Sequence, residues 1–497
     1  MRRKPTAPSP VGLERAPDRP ADILDTSGAG PAAIRGGILR VGAYVGSVGL
    51  GVVAAALLLR HLGPSDFGRY TAVLSLVLIV TTVTEAGMTA VGVRQYSTLV
   101  EPERTSLMRN LLGLRLLLTS AGGLGAIAFA AAVGYDQTMV LGTALAASGM
   151  VIGIVQATYG VALQSELKFG WFSALELVRQ VATLILVGAL VALGATLLPF
   201  LVVPAVAALV VLVLTVPLVR GYVSLAPSYE PQHWRDIALL TVPFAAANAV
   251  GAVYGYLSVI LLSLLSSAEE TGFFGAAFRI FLVLAAVASL MVATGFPVLA
   301  RAARDDRARL RYALSRLWEM CVIVGVGLSV ATAVGAEVII DVVAGPGYEP
   351  AADALRILAV AMFASFVLAT WGFGLLSLGR YRAILVANVL ALAASATVNA
   401  LLTPDHGALG AAYATLVGET VLAAGYGFSL IVLAGFRPPL GTLPKVALAT
   451  AASVPFALVP NGVVGLVGCI LAYAVVLLLT RALPPEVIGA LRSRVHD

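Results

Sequence analysis

The chain has 497 residues, of which 59% are hydrophobic and 12% are charged, and its mean hydropathy is +0.96. A soluble domain is about 45–50% apolar and about 25% charged, so this chain carries more apolar surface than one globular core could bury. A soluble enzyme is therefore excluded, and a polytopic membrane protein is indicated. The 50 glycines follow no every-third-residue period, which excludes a collagen-like fold as well.

Residues 1–35 contain many prolines and arginines and no apolar stretch, so we expect a disordered cytosolic tail. A cleaved signal peptide would need a short apolar segment followed by a small-residue cleavage site. Neither feature is present near the first residue, and we therefore expect no cleaved signal peptide.

About fourteen apolar runs follow, each suited to crossing a bilayer as a helix. A spanning helix needs about 20 mostly apolar residues, and lipid tolerates no open sheet edge. The fold class predicted is all-α, with spans near residues 38–59, 71–93, 111–133, 140–163, 172–193, 197–219, 237–263, 275–299, 319–341, 355–378, 382–402, 408–433, 444–460 and 463–480. The last two runs are short and contain Pro455 and Pro460.

Two loops about 204 residues apart suggest a duplication of a six-helix unit. Residues 60–70 read RHLGPSDFGRY and residues 264–274 read LLSSAEETGFF, so that residues 66–68 align with residues 270–272. Duplicated halves around a shared central cavity are typical of alternating-access transporters. The predicted organisation is a tail at 1–35, an N-lobe at 36–220, a C-lobe at 221–435, two appended helices at 436–480 and a C-terminal tail at 481–497.

The distribution of basic residues predicts the orientation, because cytosolic loops carry an excess of Lys and Arg. If both termini are cytosolic, the inner side collects the basic tail, the 94–109 loop and the 301–316 loop, together with Arg492 and Arg494. The outer side then holds Arg60, Arg69, Arg279 and Arg356. We interpret the arginine-rich 301–316 loop as an orientation signal on anionic headgroups, with a regulatory site as the alternative. The net charge of +6 is explained in this way, and no nucleic-acid partner is expected.

Cofactor chemistry has little support in this sequence. Cys321 and Cys469 both lie in apolar runs, and the four histidines have no second ligand at metal spacing. The phosphate-binding pattern GxxxxGK[ST] is also missing, so the chain carries no nucleotide motor of its own. We therefore predict no cofactor and no metal, and the identity of any coupling cation stays open.

The loop at residues 60–70 resembles the R-x-L-G-P-x-x-F-G-x-Y signature of polysaccharide and O-antigen flippases, which belong to the multidrug/oligosaccharidyl-lipid/polysaccharide (MOP) exporter superfamily. The signature positions are Arg60, Gly63, Pro64, Phe67, Gly68 and Tyr70. Further matching segments are Thr84–Ser97, Glu269–Ile280, Phe296–Ala302, Gly345–Ala359 and Asn399–Thr415. The resemblance thus extends over about residues 36 to 480.

This resemblance implies two six-helix lobes around a central cavity, and a transporter rather than an enzyme. Such proteins move polyprenyl-diphosphate-linked oligosaccharides from the cytosolic to the outer leaflet of the bacterial plasma membrane without hydrolysing ATP themselves. The implied partners are the lipid-linked glycan, membrane lipids, a glycan polymerase and other envelope-biosynthesis proteins. The signature itself is predicted to be structural, with Gly63 and Pro64 forming a turn and Asp66 capping the second helix.

Ionisable side chains inside the predicted spans are the candidate substrate-binding residues. Arg279 is the first candidate for contact with a diphosphate, because the family also places a cavity arginine there and a guanidinium pairs with phosphate oxygens. The alternative is an arginine at the outer helix end that extends to the headgroups. Arg40 is a candidate for the cytosolic entrance or for an interfacial anchor, and Glu85 for the entrance or for a structural pair with Arg94.

Glu419 has no obvious local partner, and we expect it to gate the second lobe or to bind a cation. Asn248 is a candidate for hydrogen bonding to sugar or for helix packing. Glu176 and Arg179 share one helix face and are predicted to form an ion pair. Arg356 is predicted to be an interfacial cap.

Three rival functions remain open from the sequence. A cation-coupled multidrug antiporter of the same superfamily typically has an acid in the first helix of a lobe, which neither predicted helix 1 nor residues 237–268 contain. A membrane polymerase or ligase usually has a large catalytic outer loop, whereas the longest outer loop here spans about residues 342–354. The third rival is a non-transporting scaffold for cell-envelope glycan assembly.

Overall fold

A computed structural model describes residues 29–85, 87–165, 169–221 and 226–482 of the chain. These described residues form helices and short connections, with no β-strand among them. The α-helices are α1 (Ala29–Glu85), α2 (Met88–Thr98), α3 (Glu103–Ala132), α4 (Gln137–Ser165), α5 (Phe169–Ala192), α6 (Leu197–Val219), α7 (Pro231–Leu265), α8 (Ala268–Asp305), α9 (Arg307–Val334), α10 (Ala336–Val343), α11 (Ala351–Ser377), α12 (Tyr381–Ala434), α13 (Leu443–Ser453) and α14 (Gly462–Leu479). A short 3₁₀ helix, Val454–Leu458, follows α13.

Two of these helices are too long for a single crossing. The 57 residues of α1 and the 54 residues of α12 would each extend about 80 Å at 1.5 Å per residue, against about 30 Å of bilayer core. Both are broken at a glycine with positive φ, Gly63 (φ 69°) and Gly407 (φ 50°), where a residue without Cβ permits the turn. Each therefore crosses the membrane twice.

The described residues contain eleven segments long and apolar enough to span a membrane, and residues Leu443–Leu458 form a shorter apolar one. Because two of the eleven cross twice, they account for thirteen crossings, and the shorter segment Leu443–Leu458 matches the remaining one of the fourteen apolar runs. The predicted all-α fold with about fourteen spans is thus confirmed.

Several helix limits differ from the prediction. The run expected at 71–93 ends at Glu85, and α2 begins after Gly87, which has a positive φ of 73°. The run expected at 319–341 is divided between α9 and α10 at Gly335. The helix expected from residue 275 begins seven residues earlier, at Ala268, where the Ser267 side chain accepts a hydrogen bond from the Glu270 backbone N–H.

The helices pack as two groups that meet along α1, α7 and α8. In the first group α3 packs on α4, α4 on α6, and α5 on α1. In the second group α11 contacts α8, α9 and α12, and α12 also packs on α7. The helices α13 and α14 pack on each other and on α9, at the edge of the second group. The residue limits predicted for the lobes stay a prediction.

The duplicated loops contact each other through paired glycines. A Cβ atom on Gly68 would lie 1.9 Å from the Ala268 carbonyl oxygen, and a Cβ atom on Gly272 would lie 1.9 Å from the Pro64 carbonyl oxygen. Positions 64 and 68 correspond to positions 268 and 272 at the same spacing of 204 residues. The contact is therefore reciprocal, as expected where two halves are related by a pseudo-twofold axis. We call this end of the bundle, which also carries Gly63 and Gly407, the Gly63 end.

Further contacts close the Gly63 end between the two halves. The hydroxyl of Tyr348, in the loop before α11, donates to the Leu59 carbonyl over 3.2 Å, and Arg60 donates to the Val342 carbonyl over 2.6 Å. The Tyr348 ring also meets the rings of Phe67 and Phe273 edge-on. Burial raises the pKa of the Tyr348 phenol, which keeps this hydroxyl a neutral donor. The opposite end of the bundle is called the Arg307 end.

Candidate functional site

Arg279 lies where the two halves begin to diverge. The face of α8 that carries Ala268 and Gly272 continues through Gly275, whose Cβ would lie 3.1 Å from the Thr71 side chain, to Arg279. Along α8, Gly272 thus lies against the backbone of α1, whereas Gly275 lies against a side chain of α1. Arg279 itself is exposed.

The position of Arg279 along α8 bears on its role. Because α8 begins at Ala268, Arg279 lies about 16 Å from the start of the helix, near the middle of the apolar segment Ala268–Ala293. Its neighbours Phe278 and Phe281 are buried, with 6% and 4% exposure. Both predicted roles of Arg279, contact with a diphosphate and extension to the headgroups, stay predictions.

Two tyrosines from different halves lie within electrostatic range of the Arg279 guanidinium. They are Tyr70, in the second half of α1, and Tyr256, in α7. Tyr70 is the last residue of the signature, whose structural role stays a prediction. Within the signature, Gly63 forms the break in α1 and Phe67 is 2% exposed.

Tyr70 also lines a cavity of about 610 Å³ within the N-terminal half, enclosed by α1, α4, α5 and α6. Its polar lining consists of Tyr70, Thr81, Glu85, Thr89, Gln156, Gln164, Glu176, Arg179, Gln180 and Thr183. The predicted ion pair between Glu176 and Arg179 is present on its wall. The cavity therefore offers many hydrogen-bonding groups beside the cationic site at Arg279.

The Glu85 side chain connects helix α3 with the break that separates α1 from α2. Its carboxylate accepts from the backbone N–H groups of Gly87 and Thr89, each over 2.9 Å, and pairs with Arg115 of α3 at 3.0 Å. The structural alternative had named Arg94 as the partner, whereas the cation here is Arg115. The Glu85 side chain keeps 30% exposure and also lines the 610 Å³ cavity, so a role at the entrance stays a prediction.

Arg115 is the residue that the sequence analysis missed. Its side chain has 0% exposure, and it also donates to Thr158 over 3.0 Å and to Thr89 over 2.6 Å. The signal was a lone arginine inside the apolar run LLGLRLLL, where a charge requires a partner.

Glu419 of α12 is buried in the second half, with 8% exposure. It accepts hydrogen bonds from Tyr254 over 2.9 Å and from Ser365 over 2.5 Å, so it has partners that the sequence did not indicate. A small cavity of about 60 Å³ adjoins it, lined also by Ser258, which accepts from Asn399 over 3.1 Å. This arrangement of one carboxylate among hydroxyls and an amide suits a proton or a small hard cation.

The other predicted residues are scattered. Arg40 lies in α1, but its side chain is outside the described residues, and Asn248 lies partly exposed in α7. Asp66 was expected to cap a helix, but it pairs with Arg69 at 3.3 Å, because α1 resumes at Pro64 before Asp66 is reached. Arg356 pairs with Glu337 and Asp353 at the Gly63 end. The described residues contain no group of three or more His, Cys, Asp or Glu side chains placed to hold a metal ion.

Comparisons with known proteins agree with this architecture. The family model described as "Polysaccharide biosynthesis protein" matches residues 33–303. No curated protein sequence matches the chain. Among solved structures, the chain is similar to the lipid II flippase MurJ in an inward closed conformation, with a TM-score of 0.78 and 13% sequence identity. The match covers 89% of this chain and 99% of the MurJ chain.

Two further structures share the fold more distantly. An inward-facing multidrug resistance MATE family transporter of the MOP superfamily has a TM-score of 0.61 at 13% identity, covering 80% of this chain and 98% of its own. A MOP superfamily transporter from Pyrococcus furiosus has a TM-score of 0.53 at 14% identity. That match covers 80% of this chain and 95% of the Pyrococcus chain. The chain therefore belongs to the polysaccharide biosynthesis protein family, and it shares the fold of these transporters.

Proposed function

We propose that this protein moves a polyprenyl-diphosphate-linked oligosaccharide from the cytosolic to the outer leaflet of a bacterial inner membrane by alternating access. The observation that carries the proposal is Arg279, an exposed arginine about 16 Å from the start of α8, between two helix groups that contact each other at one end. A diphosphate is the part of such a substrate that a guanidinium binds best, through paired N–H donors. The fold shared with a lipid II flippase supports the same substrate class.

The glycan would occupy the 610 Å³ cavity of the N-terminal half. Tyr70 lines this cavity and lies within electrostatic range of Arg279, so the sugar next to the diphosphate would enter beside Tyr70. The amide and charged groups of Gln164, Gln180 and Glu176 would then replace water around the sugar hydroxyls. The polyprenyl tail needs no polar site, because it can stay in the surrounding lipid.

Release on the outer side requires the Gly63 end to open. By the distribution of arginines, this end faces outwards, both termini are cytosolic, and the Arg307 end faces the cytosol. Opening would separate Tyr348 from the Leu59 carbonyl and Arg60 from the Val342 carbonyl. Both hydrogen bonds end on uncharged carbonyl oxygens. A modest free energy is therefore enough to replace them with hydrogen bonds to water.

Glu419 would couple transport to a cation or proton, which replaces the missing nucleotide motor. A buried carboxylate inside a span is costly as a bare anion. It therefore binds a proton or cation while enclosed and releases it when the surrounding helices part. A gradient across the membrane could drive the cycle in this way.

Cation-coupled drug export is the second candidate, favoured by the fold shared with a MATE transporter. The two candidates make different demands on Arg279. A drug that carries a positive charge would be repelled by the exposed guanidinium, whereas a diphosphate would be held by it.

The test is mass spectrometry of polyprenyl-diphosphate-linked sugars in cells depleted of the protein. Complementation with the intact gene should clear an accumulated repeat unit, and Arg279→Ala should not. The matched control is Arg356→Ala, which removes an arginine of the Gly63 end that is already paired with two carboxylates. An unchanged lipid-linked pool together with intact surface glycan would reject the proposal and favour drug export or a scaffold.

A further inference from the structure

A pocket with four arginines lies at the Arg307 end, within the C-terminal half and away from Arg279. Its volume is about 490 Å³, and it forms where α8, α9, the turn between α11 and α12, and the end of α12 meet. The four arginines are Arg304, Arg307, Arg311 and Arg380. Pockets of about 300–1,000 Å³ are large enough for a lipid headgroup or another drug-sized group. We call this the arginine pocket.

The arginine pocket is amphipathic. Leu310, Leu314 and Phe436 form an apolar floor and are at most 4% exposed. Leu433 also lines the pocket and is 43% exposed. A charged rim above an apolar floor fits a ligand that has both an anionic and an apolar part.

Three of the four arginines of the arginine pocket have no carboxylate partner among the side chains that the structure describes. Among the side chains that the structure describes, no carboxylate lies within 4 Å of a guanidinium nitrogen of Arg307, Arg311 or Arg380. The nearby Asp306 carboxylate is engaged at the start of α9, where it accepts from the backbone N–H groups of Ala308 and Arg309. Like charges held together in one cavity repel each other, so an anion that binds there gains from Arg307, Arg311 and Arg380 together.

An exposed apolar strip on α12 leads away from the pocket. Phe428, Ile431 and Val432 are 69%, 44% and 61% exposed, and Leu433 connects them with the pocket. Such a strip on a spanning helix is the surface that acyl chains cover. A soluble anion would use the arginines and leave the strip without a role.

We propose that the arginine pocket binds the phosphodiester headgroup of an anionic membrane phospholipid, whose acyl chains lie along the Phe428–Leu433 strip. The guanidinium groups supply paired donors to phosphate oxygens, and the apolar floor covers the glycerol. The basic segment 301–316, which forms the end of α8 and the start of α9, then forms a specific lipid site in addition to orienting the chain. This proposal is independent of the transported substrate.

The test measures lipid binding to the purified full-length protein by native mass spectrometry. The probes are dioleoylphosphatidylglycerol and its zwitterionic counterpart dioleoylphosphatidylcholine. The pocket variant is Arg307→Gln, Arg311→Gln and Arg380→Gln combined. The matched control combines Arg301→Gln, Arg309→Gln and Arg382→Gln, which removes three exposed arginines of the same end that do not line the pocket. We expect the pocket variant to lose about tenfold or more in affinity for phosphatidylglycerol, and the control less than about twofold.

Several results would overturn the proposal. Equal losses in the two triple variants would mean a diffuse surface potential, and equal binding of phosphatidylcholine would mean apolar contact alone. Competition by millimolar inorganic phosphate or by polyglutamate as strong as that by phosphatidylglycerol would point to a soluble anion or an acidic protein partner. If the pocket variant elutes as an aggregate in size-exclusion chromatography, Arg380→Gln against Arg382→Gln gives the same comparison with one charge, and equal affinities would reject the site.

Discussion

The reciprocal glycine contact at the Gly63 end makes Gly272→Ala an informative perturbation. The added Cβ would lie 1.9 Å from the Pro64 carbonyl oxygen and 2.7 Å from the Pro64 carbonyl carbon. Both neighbours are backbone atoms, so no side chain can rotate away. Because carbon atoms of side chains essentially never approach closer than 3.0 Å, α1 and α8 must separate by at least 1.1 Å here.

This separation raises the free energy of the closed state, in which the two halves contact each other at the Gly63 end. Adding a methylene to a well-packed contact costs about 1–3 kcal/mol, and the penalty disappears once the two halves part at the Gly63 end. The ratio of open to closed molecules should therefore rise by about 5- to 150-fold.

The assay is the labelling rate of a cysteine by a membrane-impermeant maleimide. Thr271→Cys is the reporter, because Thr271 is fully buried in the closed contact, and Cys321 and Cys469 are replaced by alanine beforehand. Gly188→Ala in α5 is the matched control, since its Cβ would meet nothing within 4 Å. An unchanged labelling rate in a folded Gly272→Ala protein, or an equal increase in the control, would refute the reasoning.

Three further predictions concern the buried and exposed charges. Arg279→Lys should keep part of the transport that Arg279→Ala abolishes, because an ammonium keeps the charge but loses the paired donors; cellular levels of lipid-linked sugar measure both. Arg115→Met should lower the free energy of unfolding by about 3–5 kcal/mol, since it leaves Glu85 without its cation; thermal unfolding measures it. Glu419→Gln should keep the Tyr254 hydrogen bond but remove the dependence of transport on an ion gradient, as assayed in proteoliposomes.

Controls separate these effects from misfolding. Each variant should reach the membrane at the wild-type level, and Arg179→Met, which removes an arginine that is 48% exposed, should cost less than about 1 kcal/mol. A loss as large as that of Arg115→Met would contradict the difference between buried and exposed pairs. Gradient-dependent transport by Glu419→Gln would remove this residue from the coupling mechanism.

The crossings were predictable because a bilayer permits few backbone structures. The run expected at 197–219 coincides with α6, and thirteen other runs fall on helices of the structure. An average of hydropathy over many residues, however, does not locate the break after Glu85, which falls inside the single run expected at 71–93. That break depends on the Glu85 carboxylate binding the first N–H groups of α2, which no average over residue types reveals.

The predicted start of α8 was wrong for a different reason. The sequence S-A-E-E at residues 267–270 is a capping pattern, with Ser at the first position and Glu three residues later. This pattern marks the beginning of α8, seven residues before the start of the apolar run. The pairing of Glu85 with Arg115 lay beyond local patterns, because it joins residues 30 positions apart on different helices.

The backbone contacts between the two halves are symmetric, but the charged side chains beside these contacts are not. The counterpart of Arg279 at the spacing of 204 residues is Ser75, which is 4% exposed, whereas the large cavity lies in the half that carries Ser75. We infer that a bound substrate contacts one half through its diphosphate and the other through its glycan. When the Gly63 end opens, the distance between these two sites changes, and the substrate must release one of them.

This reasoning predicts that affinity depends on the state of the glycine contact. A lipid-linked oligosaccharide should bind more weakly to Gly272→Ala than to the Gly188→Ala control, by a factor up to the 5- to 150-fold shift in population. Farnesyl diphosphate, which carries no glycan, should bind both variants equally, because it contacts Arg279 alone. Isothermal titration calorimetry measures both ligands. Equal affinity of the oligosaccharide for the two variants would mean that the substrate is held by one half only, and that the release described here does not follow from the opening of the Gly63 end.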